Sequence, residues 1–149
     1  MRTAIPAPLI ALGLAALAAG CADTHTTEVE TVRGTADALL EMCAADRPQD
    51  ALEVLDPPAR QAFLRAGGAR AGCLEVLGLR ASRLAPAATA DVLRRTRVAN
   101  VRAGDLSAHA EIRSPTGERA SLELEKSRGV WYVAHPARSG VSQNDLSSR

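Results

Sequence analysis

The spacing of the apolar residues changes near residue 95, and this change constrains the fold more than any other feature of the sequence. Before that point apolar residues recur three and four positions apart, as on one face of a helix, for example from Val29 to Cys43. After it, apolar and polar residues alternate in four short runs, which is typical of strands with one buried face. The sequence therefore predicts an α+β domain, with N-terminal helices packed on a curved, cone-like, four-stranded antiparallel sheet.

Turn residues separate the four strand segments: Gly-Asp at 104–105, Pro-Thr-Gly at 115–117 and Arg-Gly at 128–129. The middle one suits a three-residue hairpin loop, in which the proline starts a type I turn and the glycine takes the left-handed position. The register that follows places Ile112 opposite Ala120 and Ala110 opposite Leu122.

This register gives the sheet one apolar and one polar face. The polar face carries His109, Glu111, Ser121, Glu123, Glu125 and Tyr132. The helices are expected to close the other side of the cone with Leu39, Leu40, Leu55 and Phe63. Together with the apolar face of the sheet, these side chains either nearly fill the cone or leave a modest apolar pocket. The residues expected to line such a pocket are Ile112, Leu122, Leu124, Trp131 and Val133, with His135 near its mouth.

The helical half of the chain is predicted from its start and stop signals. Thr27 and Glu30 have the spacing of a capping box, which indicates a first helix over 28–45. Three more segments follow: one started by Pro48, one capped by Asp56 with Pro57 in its first turn and stopped at Gly67–Gly68, and one over 70–79. Residues 80–91 are rich in alanine and give no clear pattern.

The N-terminus reads as a secretory signal over residues 1–20. Arg2 is followed by an apolar run at 4–19, which is shorter than the roughly 20 residues that a membrane-spanning helix needs. Small residues then precede Cys21, and this ending resembles the lipobox of bacterial lipoproteins. The resemblance implies that Cys21 carries a diacylglyceryl thioether and becomes the mature N-terminus on the extracytoplasmic face of the cell membrane. The alternative is an ordinary signal peptide that ends in a cysteine by chance.

The number of cysteines fits this interpretation, because the chain has three. If Cys21 carries lipid, Cys43 and Cys73 remain as a pair, and export places them where disulfides persist. A disulfide between them is the first expectation. Two buried free thiols are the alternative, and a metal site has less support because no other Cys or His stands at ligand spacing.

Charge and motifs exclude several classes of function. Removal of a signal containing Arg2 leaves 17 basic and 17 acidic residues, whereas a nucleic-acid partner favours a basic excess. The glycine-rich stretch 65–72 lacks the Gly-Lys-Ser/Thr ending of a phosphate loop, and no Gly-x-Ser-x-Gly motif of a serine hydrolase occurs. The basic run 94–97 is either a solvated edge or a contact for anionic lipid. No cofactor is expected.

The pattern as a whole resembles small exported proteins of the nuclear-transport-factor-2-like superfamily, which are frequent among actinobacterial lipoproteins. The resemblance covers roughly 28–135. It rests on Ala45-Asp46, Ala51-Leu52, Leu55 and Pro57 or Pro58 in the second helix, on the Gly104-Asp105 turn, and on Gly129, Trp131 and Val133 in the last strand. It implies a nuclear-transport-factor-2-like domain, which we place over 28–136. The polar residues 21–27 are expected to form a tether before it, and residues 137–149, which show no periodicity, are expected to form a disordered tail.

Three functions are compatible with this architecture, since function depends on sites rather than folds. The first is a membrane-anchored, non-enzymatic module that binds a protein partner or a small apolar ligand. The second is a small isomerase- or hydratase-like enzyme of the same superfamily, for which only His135 offers an acid–base group inside the cone. The third is a structural accessory subunit of an envelope complex. We expect the first, with no catalytic residue.

Overall fold

The structure, a computed structural model, describes residues 20–80 and 85–134. In this part of the chain five helices pack against one four-stranded antiparallel sheet, which confirms the predicted α+β class. Three predicted features lie outside the described residues: the expected signal segment except for Gly20, His135, and the expected tail at 137–149.

The helices are α1 (Gly20–Ala44), a 3₁₀ helix (Pro48–Val54), α2 (Pro57–Arg65), α3 (Ala69–Leu77) and α4 (Pro86–Arg95). The predicted capping box is wrong, because α1 runs through Thr27 without a break and begins eight residues before the expected start. The expected tether at 21–27 is therefore helical. Its residues include no proline or glycine, so nothing in the segment stops the helix from extending towards the N-terminus.

Helix α2 begins as the sequence predicts. The Asp56 carboxylate accepts a hydrogen bond from the Ala59 amide at 2.8 Å, and Pro57 occupies the first turn. Helix α4 covers part of the alanine-rich segment and continues to Arg95, where a strand pattern was expected to begin. The buried Thr96 hydroxyl donates to the Val92 carbonyl at 2.7 Å and closes this last turn.

The sheet is a meander of β1 (Arg97–Ala103), β2 (Ser107–Arg113), β3 (Arg119–Ser127) and β4 (Val130–Ala134) in that order. The predicted register is confirmed, with Ile112 opposite Ala120 and Ala110 opposite Leu122. Gly117 has φ +86° and closes the β2–β3 loop, as its left-handed position requires. A β-bulge between Val98 and Asn100 was not predicted.

One hydrophobic cluster joins the sheet to the helices. The predicted apolar face of the sheet is buried, and the same cluster contains Leu39, Leu40 and Phe63 of the helices and Leu55, which directly follows the 3₁₀ helix. The polar face points away from the helices, and its strand residues alternate with the buried ones. The helices therefore cover a single face of the sheet, and the sites that remain accessible lie at its edge and on its polar face.

Candidate functional site

Cys43 and Cys73 form a disulfide between α1 and α3, as the sequence predicts. Their Cα atoms are 5.7 Å apart and neither residue is exposed. The bond closes a loop of 30 residues and packs beside the 3₁₀ helix, where the Cys73 sulfur lies 3.9 Å from the Pro48 carbonyl oxygen. Among the described residues, no group of three or more His, Cys, Asp or Glu side chains is placed to hold a metal ion.

The residues expected to line a pocket are placed in the core. Ile112, Leu122 and Val133 are fully buried, and Leu124 and Trp131 are only 1% and 3% exposed. All five pack in the cluster shared with the helices. The remaining candidate, His135, lies outside the described residues.

A groove of about 550 Å³ lies beside strand β4. We call it the β4 groove and define it by Pro57, Pro58 and Arg60 of α2 on one side and by Glu125, Arg128 and Tyr132 of the β3–β4 hairpin on the other. Pro57 and Pro58 are exposed, so apolar surface and charged side chains face the same space.

The helical wall of the β4 groove is fixed to the sheet through the backbone. Leu55 forms a parallel bridge with Val133, and the Asp56 amide donates to the Val133 carbonyl at 3.0 Å. Arg60 donates from Nε to the Leu55 carbonyl at 2.9 Å. Because the Asp56 carboxylate caps α2, the charged group that this wall presents to a ligand is the outer end of the Arg60 guanidinium.

The hairpin wall contains an unusual residue at its turn. Arg128 and Gly129 have φ values of 51° and 82°, and the flanking pair is Ser127 with Val130, which is the geometry of a two-residue type I′ turn. Asn, Asp or Gly normally occupies the first of these positions, because the left-handed backbone conformation has a higher energy for residues with other side chains. An arginine held there at an energetic cost is a candidate binding residue.

The Glu28 side chain links α1 to the β3–β4 hairpin. Its carboxylate accepts a hydrogen bond from the Trp131 indole nitrogen at 2.8 Å and forms an ion pair with the Lys126 ammonium, which lies 5.5 Å from the centre of the Trp131 ring. The hydrogen bond from Lys126, followed by that from Trp131, lowers the pKa of Glu28 below its ordinary value. Sequence reasoning missed this contact. The available signal was that Lys126 and Trp131 are the only lysine and tryptophan of the chain.

A second, smaller cleft of about 320 Å³ lies on the polar face of the sheet. It brings together Asn100, Arg102, His109, Glu111 and Ser121 from three neighbouring strands. The Glu111 carboxylate is engaged by the Arg113 side chain at 3.0 Å. His109 is exposed, so the cleft offers polar contacts in water rather than a desolvated acid–base pair.

The chain matches no family model, no curated protein sequence and no solved structure.

The described helices include none that is both long and apolar enough to cross a membrane.

Proposed function

We propose that the chain is a bacterial lipoprotein with a nuclear-transport-factor-2-like domain, and that this domain binds a protein partner without catalysing a reaction. Lipid on Cys21 holds it on the extracytoplasmic face of the cell membrane. The apolar run, the small residues before Cys21 and the pairing of the two other cysteines support the anchor. A diacylglyceryl group supplies two acyl chains, which is enough for stable attachment.

We place the binding site in the β4 groove because the inner face of the sheet is buried. Ile112, Leu122 and Val133 are fully buried against the helices, so these side chains are committed to the core. The β4 groove, in contrast, combines the exposed surface of two prolines with an arginine on each wall, and its lining has three basic residues, Arg60, Lys126 and Arg128, against two acidic ones, Asp56 and Glu125. Guanidinium groups bind carboxylates through paired hydrogen bonds, and tyrosine and proline supply rigid contact area at interfaces. An acidic, extended segment of a partner protein fits this chemistry.

The test is crosslinking in native membranes, with the wild-type chain compared with charge variants. Arg128→Asn removes one guanidinium and keeps a residue that favours the type I′ turn. Arg102→Gln, in the cleft on the polar face, is the matched control because it removes an exposed arginine of β1 that does not line the β4 groove. We expect Arg128→Asn to reduce the crosslinked partner about tenfold, the cost of one good charge-assisted contact, and Arg102→Gln to preserve it.

Equal crosslinking by both variants and the wild type would rule out the β4 groove as the binding site. His135→Ala separates binding from catalysis. Loss of the biological activity in that variant, at unchanged membrane level and unchanged folding, would favour the isomerase- or hydratase-like alternative over the binding module.

A further inference from the structure

We infer that the cleft on the polar face of the sheet binds a small anionic sugar, which is either a sugar acid or a sugar phosphate. We call this site the polar cleft and define it by the residues that line it: Asn100, Arg102, His109, Glu111 and Ser121. It shares no lining residue with the β4 groove, so it is separate from the site proposed for the protein partner. The inference depends neither on that partner nor on the lipid anchor.

The strand register brings these side chains together on one face of three neighbouring strands. Asn100 of β1, Glu111 of β2 and Ser121 of β3 lie in one row across the sheet. Arg102 and His109 lie opposite each other in the next row. Neighbouring strands are about 4.8 Å apart, so a row from β1 to β3 spans about 10 Å. The five polar groups surround a volume of about 320 Å³, which is at the lower end for small-molecule sites.

Most of the hydrogen-bonding groups in the polar cleft are available to a ligand. Four of the five side chains have no hydrogen-bond or ion-pair partner within the described residues: Asn100, Arg102, His109 and Ser121. All four are exposed, and each can donate a hydrogen bond. Because paired strands hold their backbones, four donors from three strands face the same space before any ligand arrives.

The acidic residue of the polar cleft is already paired. The Glu111 Oε1 atom accepts a hydrogen bond from the Arg113 Nε at 3.0 Å, which offsets the charge of the carboxylate. Glu123 lies opposite His109 on β3 and does not line the cleft. The Arg102 side of the cleft is one strand further from Glu123, and a guanidinium donates paired hydrogen bonds to carboxylate or phosphate. We therefore place the anionic group of the ligand beside Arg102.

The remaining groups match hydroxyls rather than an aromatic ring. A hydroxyl both donates and accepts, as do the Asn100 carboxamide and the Ser121 hydroxyl, and the second oxygen of Glu111 can accept. No aromatic side chain among the described residues lines the polar cleft, so a nucleobase has no ring on which to stack. A molecule with one anionic group and several hydroxyls, such as glucuronate or glucose 6-phosphate, fits these groups.

The experiment titrates the isotope-labelled full chain with glucuronate, glucose 6-phosphate and glucose, and follows the amide chemical shifts. We expect shifts confined to the polar cleft and a Kd of about 1 mM for at least one anionic sugar, as for a small ligand held without apolar burial. Glucose lacks the anion and should bind about fivefold more weakly. Binding of glucuronate alone identifies a sugar acid, and binding of glucose 6-phosphate alone identifies a sugar phosphate.

Two arginine variants test the position of the anion. Arg102→Gln should raise the Kd about fivefold, the upper end of what an ion pair in contact with water contributes. Arg119→Gln is the matched control, because it removes an exposed arginine from the same face of the sheet outside the polar cleft. We expect Arg119→Gln to bind the sugar as the wild type does. Acetate and inorganic phosphate, which carry the anion without the hydroxyls, should bind more weakly than the sugars.

The outcomes that overturn this site leave the β4 groove untouched, because the titration uses no partner protein. Absence of saturable binding by both anionic sugars, or an equal loss in Arg102→Gln and Arg119→Gln, overturns the polar cleft as a binding site. Equal affinity for acetate or inorganic phosphate overturns the assignment to a sugar. Conversely, if Arg128→Asn leaves the crosslinked partner unchanged, the β4 groove is ruled out and the sugar titration still stands.

Discussion

At the scale of single residues, Glu28 joins α1 to the β3–β4 hairpin, while Arg33 of the same helix donates to the Val98 carbonyl of β1 at 3.2 Å. The Glu28 carboxylate is held by Lys126 and Trp131 from one strand pair, and its pKa lies below the ordinary value. A group with a lowered folded-state pKa contributes stability that is fully present above its unfolded pKa. That contribution is lost as the pH falls through the folded pKa, so it should fade below about pH 4.3, the usual value for glutamate.

Glu28→Gln should therefore lower the unfolding temperature at neutral pH, with a difference from the wild type that shrinks in acid. The glutamine oxygen still accepts one hydrogen bond but forms no ion pair. Thermal unfolding followed by Trp131 emission across pH 2.5–7 measures the difference, and Glu30→Gln, exposed on the same helix, is the control. A constant difference at every pH would contradict this assignment.

The Glu28 contact also shows why some site residues escape sequence reasoning. Trp131 was correctly predicted to be buried, because its place in an alternating strand determines its face. Its hydrogen-bond partner lies 103 positions away on α1, and no local pattern specifies such a contact. Arg128 is similar. The Arg-Gly pair predicted a turn, but the groove that its side chain lines depends on how α2 packs beside β4.

At the scale of elements, two glycines in helices have opposite roles. Gly34 lies in the middle of α1, is exposed, and a Cβ added there meets nothing within 4 Å. Gly72 of α3 faces Phe63 of α2, and a Cβ there would lie 2.7 Å from both the Phe63 ring and its carbonyl oxygen. The first glycine costs helix stability, whereas the second permits the close packing of α2 on α3.

The same substitution should therefore have opposite effects at the two positions. Gly34→Ala should raise the free energy of unfolding by about 0.5–1 kcal/mol, and Gly72→Ala should lower it by about 1–3 kcal/mol through overpacking. Urea denaturation of both variants provides the measurement. Destabilisation by Gly34→Ala would mean that this face of α1 is covered in solution, and a neutral Gly72→Ala would contradict the close α2–α3 contact.

The elements themselves were predictable where local chemistry determines them. The cap at Asp56, the loop closed by Gly117 and the strand register follow from turn and capping rules that act over a few residues. The start of α1 was placed too late, because Thr27 and Glu30 match a cap that the continuing helix does not use. The β1 bulge and the extent of α4 depend on packing between elements, which the local pattern does not encode.

At the scale of the whole molecule, the disulfide compensates for a core built largely from small side chains. Alanines at positions 36, 51, 59, 108 and 110 are buried in the cluster, and each provides less apolar area than a leucine or phenylalanine. Cys43 and Cys73 lie in this cluster and join α1 to α3 across 30 residues. In the chain-entropy model, closing a loop of that length stabilises the fold by about 3.5 kcal/mol.

Replacing both cysteines with alanine should lower the unfolding temperature by about 10–15 °C, as expected for a loss of this size in a domain of this length. Calorimetry of the oxidised wild type and of Cys43→Ala/Cys73→Ala gives the shift. A reductant should cause a similar decrease in the wild type and none in the double variant, which separates loss of the bond from loss of side-chain volume. Peptide mapping without reductant should recover the two cysteines in one linked peptide. If protein isolated from its native host instead yields both as free, alkylated thiols, the disulfide does not form, and α1 is held by packing and by the contacts of Glu28 and Arg33 with the sheet.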